Sequence, residues 1–288
     1  VMISVIVPVF DQWDLIPHLL DRLAKQSIGL EAFEVILIDN GTPGFVEPAL
    51  DFPGKLVVLD CDKPGAYAAR NAGINQSKGE WLAFTDADCL PLPSWLENLF
   101  EVASLDGTEN IMLAGRVDVV PNSNKPGPYE IYDVVKGIPQ DLYVKGGYAA
   151  TANLFVPRSL VDSLGGFKER LYSGADKDFC LRAVRKGASL AYVDGAKVGH
   201  RARFDWAGVA TKARRLKGGQ FYSSSGLKRL LAVLRTFMPP ITAVQKVFRA
   251  KDHSLSYRMI AIFVQLRLWP VESVEILRLS VRGKPERK

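Results

Sequence analysis

Cysteine is scarce in this chain. There are three in 288 residues, Cys61, Cys89 and Cys180, far apart and odd in number, with no CxxC pair. That spacing argues against a disulfide framework and against a zinc cage, and it fits a reducing cytosol. Long apolar runs are also missing. No stretch of about 18 uncharged apolar residues is present, so no membrane-spanning helix is expected. The first ten residues lack a basic segment followed by a long apolar one, so no signal peptide is expected either. There is no helix-turn-helix signature, no zinc-finger spacing and no RNP aromatic motif, which leaves nucleic acid a poor partner. Only three histidines occur, and two of them, His18 and His253, fall in helical patterns where they suggest no chemistry.

What is present is charge, unevenly placed. The net charge of +6 conceals two opposite regions. Residues 197–288 carry 20 Lys and Arg against 5 Asp and Glu, and residues 1–196 carry 17 against 26. The acidic part reads as a catalytic body. The basic part calls for a negative partner such as phosphate or an anionic membrane.

Strand and helix patterns alternate through the acidic part. Residues 3–9 and 34–38 are β-branched runs, the first ending near Pro8 and the second before Asn40-Gly41. Residues 56–59 and 81–85 are further strands, and 66–76 form a helix. Leu15, Ile16, Leu19, Leu20 and Leu23 repeat at helical spacing, with Asp14 as the expected N-cap. A helix after Pro93, a strand at 111–120, residues 149–156, helices near 158–164 and 176–186, and a strand at 189–193 follow. Residues 121–146, rich in Pro, Gly, Asn and Tyr, read as a long functional loop. This alternation predicts an α/β fold with a mixed, mostly parallel sheet and helices on both faces. From Trp206 the pattern becomes helical and amphipathic, punctuated by Pro239-Pro240 and Pro270. The expected division is a catalytic domain over 1–205 and a basic helical appendage over 206–288.

Asp86-Ala87-Asp88 directly follows the strand 81–85. Carboxylates just past the C-terminal end of a strand lie on the ligand edge of an open α/β sheet. Two hard oxygen donors there suit Mg2+ or Mn2+, and such an ion can bridge diphosphate oxygens. Alone, the triplet is also compatible with a capped turn. Its neighbours, in order along the chain, are Pro8-Val9-Phe10-Asp11, Asp39-Asn40-Gly41-Thr42, Gly65 to Gly73, Gly79-Glu80-Trp81, Gly165-Gly166-Phe167 and Asp176-Lys177-Asp178-Phe179 with Arg182.

This ordered set resembles the family 2 glycosyltransferases of GT-A, Rossmann-like fold, over roughly residues 3–200. The resemblance implies an inverting, metal-dependent transfer of sugar from a nucleotide-sugar donor. It places donor recognition in residues 1–115 and the acceptor half in 116–205. It implies that Pro8, Val9, Phe10 and Asp11 wrap the nucleoside and that Asp39 meets the nucleobase, commonly uracil. Arg70 is expected beside the diphosphate. Asp88 is the main expected metal ligand, and Asp86 is expected on the donor sugar or ribose and the metal. Asp176 matches the general base, which takes the acceptor hydroxyl's proton during attack opposite the leaving diphosphate. His200 matches a third metal ligand of some relatives, imidazole beside carboxylates being acceptable to Mn2+. Its alternative reading is a surface histidine in a basic loop with Arg201 and Arg203. The pattern departs from the family at Asn40 and Ala175, where acids are common. Asp178 and Arg182, four apart on a helix, read as an ion pair.

The basic residues 201–217 suggest a lid over the diphosphate. The later helices suggest contact with an anionic membrane, so that the protein would lie peripherally on the inner face, or with a second subunit in a homo-oligomer. The processive members' Gln-x-x-Arg-Trp signature is missing, which favours single-sugar addition to a glycan, lipid-linked or small-molecule acceptor in cell-surface polysaccharide or glycolipid synthesis. Two rival readings remain open. One is a nucleotidyltransferase, although Pro8 to Asp14 lacks its Gly-rich basic loop; the other is a non-catalytic nucleotide-sugar-binding protein of the same fold.

Overall fold

A computed structural model describes residues 2–171, 173–281 and 283. Eight strands form one sheet: β1 (Ile3–Val9), β2 (Phe33–Asp39), β3 (Lys55–Asp60), β4 (Trp81–Phe84), β5 (Cys89–Pro91), β6 (Ile111–Val120), β7 (Leu154–Pro157) and β8 (Ser189–Arg201). Their order is β3-β2-β1-β4-β7-β6-β8-β5. The first four in that order pair in parallel. The pairs β4–β7, β6–β7 and β5–β8 are antiparallel.

Period-two patterning explains how the sheet is buried on both sides. From β1, Ile3, Val5, Val7 and Val9 enter one core, and Ile6 enters the other. From β2, Phe33, Val35 and Leu37 go one way and Ile36 and Ile38 the other. Helices α1 (Ile16–Ala24) and α3 (Trp95–Ala103) supply the first core; α2 (Ala66–Gln76), α6 (Arg158–Leu164) and α7 (Ala175–Arg185) supply the second. Helix α2 lies very close to the sheet. A Cβ on Gly73 would come 2.7 Å from Ile6 Cγ2 and 2.8 Å from Ile38 Cδ1, so glycine is what allows this approach.

The chain divides into two units. The first comprises residues 1–118, 138–169 and 175–200; the second comprises 119–137, 170–174 and 201–288. The second therefore draws in residues 119–137, which the sequence pattern assigned to the catalytic part. Its helices are α4 (Pro128–Lys136), α8 (Trp206–Ser223), α9 (Gly226–Phe237), α10 (Ile241–Phe248) and α11 (Leu255–Val281). Ile131, Tyr132 and Val135 of α4 share a core with Val209, Ala210 and Ala213 of α8, Val247 of α10, and Ala261, Val264 and Leu268 of α11.

Four local expectations are corrected. Residues 121–146 are not a continuous loop: they hold α4 and α5 (Gln140–Lys145). Pro128 occupies the first helical position of α4, and Glu130 Oε2 accepts from Gly127 N at 2.9 Å, so Pro and Gly here start a helix rather than break one. Asp14 does not cap α1; it sits in a short 3₁₀ turn, Trp13–Leu15, and α1 begins at Ile16. Pro270 does not end a helix but lies inside the 27-residue α11. Finally, β8 does not stop at 193 but runs to Arg201, which changes the setting of His200.

Candidate functional site

The Asp86-Ala87-Asp88 triplet occupies the turn between β4 and β5. Strand β5 then pairs antiparallel with the end of β8, setting Cys89 opposite His200. The ladder therefore delivers a histidine 112 positions away in sequence to the triplet. His200 Nε2 lies 3.5 Å from Asp88 Oδ1, with the two side chains 6% and 16% exposed. One ligand atom from each of Asp86, Asp88, Cys89 and His200 can be chosen so that all four lie within 4.8 Å of one another. The alternative of a surface histidine in a loop does not hold, because His200 is buried within a strand.

The donor set fits a hard or borderline divalent cation through two carboxylates and an imidazole. Cys89 suits it less well. It is a soft donor beside hard oxygens; burial, and then the neighbouring Asp86 and Asp88 charges, push its thiol well above the ordinary range, and its Sγ lies 3.9 Å from the Ala152 carbonyl.

The two aspartates are not equivalent. Asp86 Oδ1 forms an ion pair with Arg70. Arg70 is 4% exposed, and its Nε is buried without a hydrogen-bond partner. An unsatisfied guanidinium donor is expensive to bury, and an anionic ligand would relieve that cost. The Arg70 guanidinium carbon also stands 5.5 Å from the centre of the Tyr67 ring. Both residues are on α2, three apart and therefore on one face.

Asp176 lies in the first turn of α7. Its Oδ1 accepts from Tyr67 Oη at 3.4 Å and from the Lys177 amide at 2.8 Å. Burial raises the carboxyl above its ordinary value; the Lys177 amide, Arg70 and Tyr67 partly offset this, and Asp86 adds to it. A carboxyl raised above its ordinary value is a stronger base than a free one once ionised, which suits proton abstraction. Asp178 of the same turn does different work. Its carboxylate binds Arg182 Nε at 2.7 Å and Lys168 Nζ at 2.7 Å, as the i,i+4 spacing suggested.

Asp39 ends β2, and Val9 is its partner at the end of β1. Its carboxylate accepts from Trp13 Nε1 at 2.7 Å and from the Gly41 and Thr42 amides at 2.9 and 3.0 Å. Burial alone would raise this carboxyl, but the Thr42 side chain, Trp13 and those amides hold it below the ordinary value. Trp13 in turn stacks on Phe45 at 4.8 Å. After Pro8, Val9 and Phe10, the chain turns at Asp11 with φ 55°, and its amide donates to Thr42 Oγ1 at 2.9 Å. The ends of β1 and β2 are thus tied together.

Asn40 departs from the acid common at its position for a visible reason. Its Nδ2 donates to the carbonyls of Cys61 and Lys63 at 3.1 and 2.9 Å, and its Oδ1 accepts from the Gly65 amide at 2.7 Å. Only a carboxamide both donates and accepts in this way.

Tyr67, Trp13 and Cys89 were not legible as site residues. Tyr67 and Trp13 could have been found from spacing, since Tyr67 is three residues before Arg70 and Trp13 follows the Pro8–Asp11 segment. The basic residues expected to form a lid are partly committed elsewhere. Arg203 and Lys212 bind Asp133 at 3.0 and 2.8 Å, and Lys217 binds Glu272 at 3.2 Å.

Acids at the C-terminal edge of the sheet's parallel strands, a buried arginine on α2 and a partly buried carboxylate on α7 make up an α/β site suited to a phosphate-bearing ligand. The model of the glycosyl transferase family 2 matches residues 4–165, and the chain belongs to that family. Glycosyltransferase AglE of Haloferax volcanii is 34% identical over 208 residues, covering 70% of this chain and 67% of AglE. The pre-mycofactocin glycosyltransferase of Mycobacterium tuberculosis is 30% identical over 207 residues, covering 66% of this chain but 42% of that protein, so this chain spans less than half of it. Among solved structures, the mannosyltransferase PcManGT from Pyrobaculum calidifontis, in complex with GDP-Man and Mn2+, has a TM-score of 0.59 at 17% identity, over 97% of this chain and 86% of that one. That likeness bears on the fold, which is the GT-A fold expected. Among the described residues, no helix is long and apolar enough to cross a membrane.

Proposed function

We infer that this protein transfers one sugar, with inversion, from a nucleotide-diphosphate donor to a hydroxyl of a glycan, lipid-linked or small-molecule acceptor. The observation that carries this reading is the convergence of Asp86, Asp88 and His200 on one point, with Arg70 bound to Asp86 and Tyr67 joining Arg70's helix to Asp176.

Asp88 and His200, with Asp86, would hold Mg2+ or Mn2+, whose charge offsets that developing on a departing diphosphate. Arg70 adds a fixed positive charge there, already desolvated and needing no rearrangement. Asp176 accepts the acceptor hydroxyl's proton as that oxygen attacks the anomeric carbon, and the bond to the diphosphate breaks on the opposite side. Asp39 is the candidate for nucleobase recognition. A carboxylate can accept the imino N–H of a nucleobase, and the family resemblance makes a UDP-sugar the favoured donor. The segment Pro8-Val9-Phe10-Asp11 is the candidate wall of the nucleoside site.

A thermal-shift panel of UDP-, GDP- and dTDP-sugars with and without Mn2+ tests the reading. The preferred donor stabilises the protein by mass action only when the metal is present. Asp176→Asn keeps that stabilisation and loses transfer. Donor stabilisation that ignores Mn2+, or full transfer by Asp176→Asn, would overturn it.

A further inference from the structure

Helix α9 is amphipathic but faces the wrong way for a helix of a protein core. Leu227, Leu230, Leu231 and Leu234 follow the i, i+3, i+4, i+7 rule and share one face, which Met238 extends at its C-terminal end. All five are between 43% and 70% exposed. The opposite face is the one that packs. Its Thr236 is buried; the Thr236 carbonyl accepts from Trp269 Nε1 at 2.8 Å and Ser273 Oγ at 3.3 Å, and its hydroxyl from Lys217 Nζ at 3.3 Å. The polar side of α9 is thus fastened to α8 and α11, and the leucine side is turned to water. Scattered apolar residues on a surface need no explanation, but a continuous stripe does.

The charge of this segment says what would cover it. Residues 226–267 hold eight Lys and Arg and a single acid, Asp252. Lys228 and Arg235, seven apart, flank the leucines along one side of α9. Among the described residues, neither of them, nor Lys246, Arg249 or Lys251 of the following segment, makes an ion pair. A protein partner would be expected to meet some of these cations with acids matched to each. A bilayer with anionic headgroups answers cations that have no matched acid and takes the leucines below the headgroup level. A twelve-residue helix is too short to span but suits an in-plane position.

We propose that α9 docks on the surface of an anionic lipid bilayer, with Leu227, Leu230, Leu231, Leu234 and Met238 inserted and Lys228 and Arg235 at the phosphate level. This goes beyond the transfer reaction and does not depend on it.

Vesicle flotation with the full chain tests the docking. The protein is expected to float with phosphatidylcholine vesicles containing phosphatidylglycerol, much less with phosphatidylcholine alone, and less at high salt. The triple variant Leu227→Ser, Leu230→Ser, Leu234→Ser is expected to lose roughly a hundredfold in partitioning. Its far-UV circular dichroism and thermal midpoint should change little, because more than half of each of these residues' surface already faces water. The pair Lys228→Glu, Arg235→Glu is expected to weaken binding to the anionic vesicles and flatten its salt dependence. Three results would overturn the proposal: a full chain that ignores anionic vesicles, a triple variant that floats as well as the wild type, or a self-associated wild type that the triple variant dissolves without any vesicle affinity. The last would make the stripe a contact between two copies.

Discussion

His200 stands opposite Cys89 across the β5–β8 ladder, and this register brings its Nε2 to 3.5 Å from Asp88 Oδ1. The contact depends on β8 remaining a strand through Arg201. His200→Ala should therefore lower apparent Mn2+ affinity by about ten- to a hundredfold, the scale seen when a metal site loses a supporting group. Excess metal should restore much of the transfer rate. Titrating activity against Mn2+ concentration checks this; an unchanged midpoint would remove His200 from the ligand set.

Tyr67 donates to Asp176, and that bond favours the ionised carboxylate. Burial nevertheless sets the Asp176 carboxyl above its ordinary value. Only the ionised form accepts a proton, so kcat/KM should fall as pH drops through this raised value, above the roughly 3.9 of an unperturbed aspartate. Tyr67→Phe should move the acid limb further up in pH, because a hydrogen bond to the charged form is lost. Changed activity without a moved limb would point to a packing role for the ring.

Restoring the family's common acid at Asn40 should do harm. Asn40→Asp removes both donations, to the Cys61 and Lys63 carbonyls, and sets a carboxylate against two carbonyl oxygens. A loss of about 1–3 kcal/mol is expected, read as a lower urea midpoint with an unchanged m-value.

In the second unit, Asp133 is 2% exposed and bridges Arg203 and Lys212. Asp133→Asn leaves two partly buried cations without their shared counter-charge, at an expected cost of about 2–4 kcal/mol, below that of a fully buried pair because both cations keep some contact with water. The pH dependence follows from the direction of its shift. Burial opposes ionisation, but the Lys212 ammonium and Arg203 guanidinium hold the carboxyl well below the ordinary range. A depressed carboxyl contributes stability fully above its unfolded value, near 3.9, and that contribution is lost as pH falls toward the folded value. Wild-type protein should weaken across that acid range, and Asp133→Asn should show a smaller slope there in urea melts at stepped pH.

Much of the sheet was legible because its strands carry their own signal. The β-branched runs at 3–9 and 34–38 bury both faces, and such runs bounded by turn residues are strong evidence of strand. The segment 121–146 misled for an equally local reason. Its Pro and Gly density hid the spacing of Ile131, Tyr132 and Val135, which shows only once α8 and α11 supply something to pack against. Asp14 made a plausible cap, but the chain used a 3₁₀ turn first.

The site divides along the same line. Asp86 and Asp88 were readable as candidates because they closely follow the strand ending at Phe84, and Arg70, in the fifth position of α2, was singled out by the resemblance of the ordered set of motifs. The order of elements and the chemistry of the acids were thus determined by sequence alone. Three things were decided only in three dimensions: Arg70 chooses Asp86, Cys89 is buried opposite His200, and α9 turns its leucines outward. Each is set by which surfaces the tertiary fold leaves available. A helical stripe specifies that one face is apolar, but only the packing of Trp269 and Ser273 against Thr236 determines that this face points to solvent.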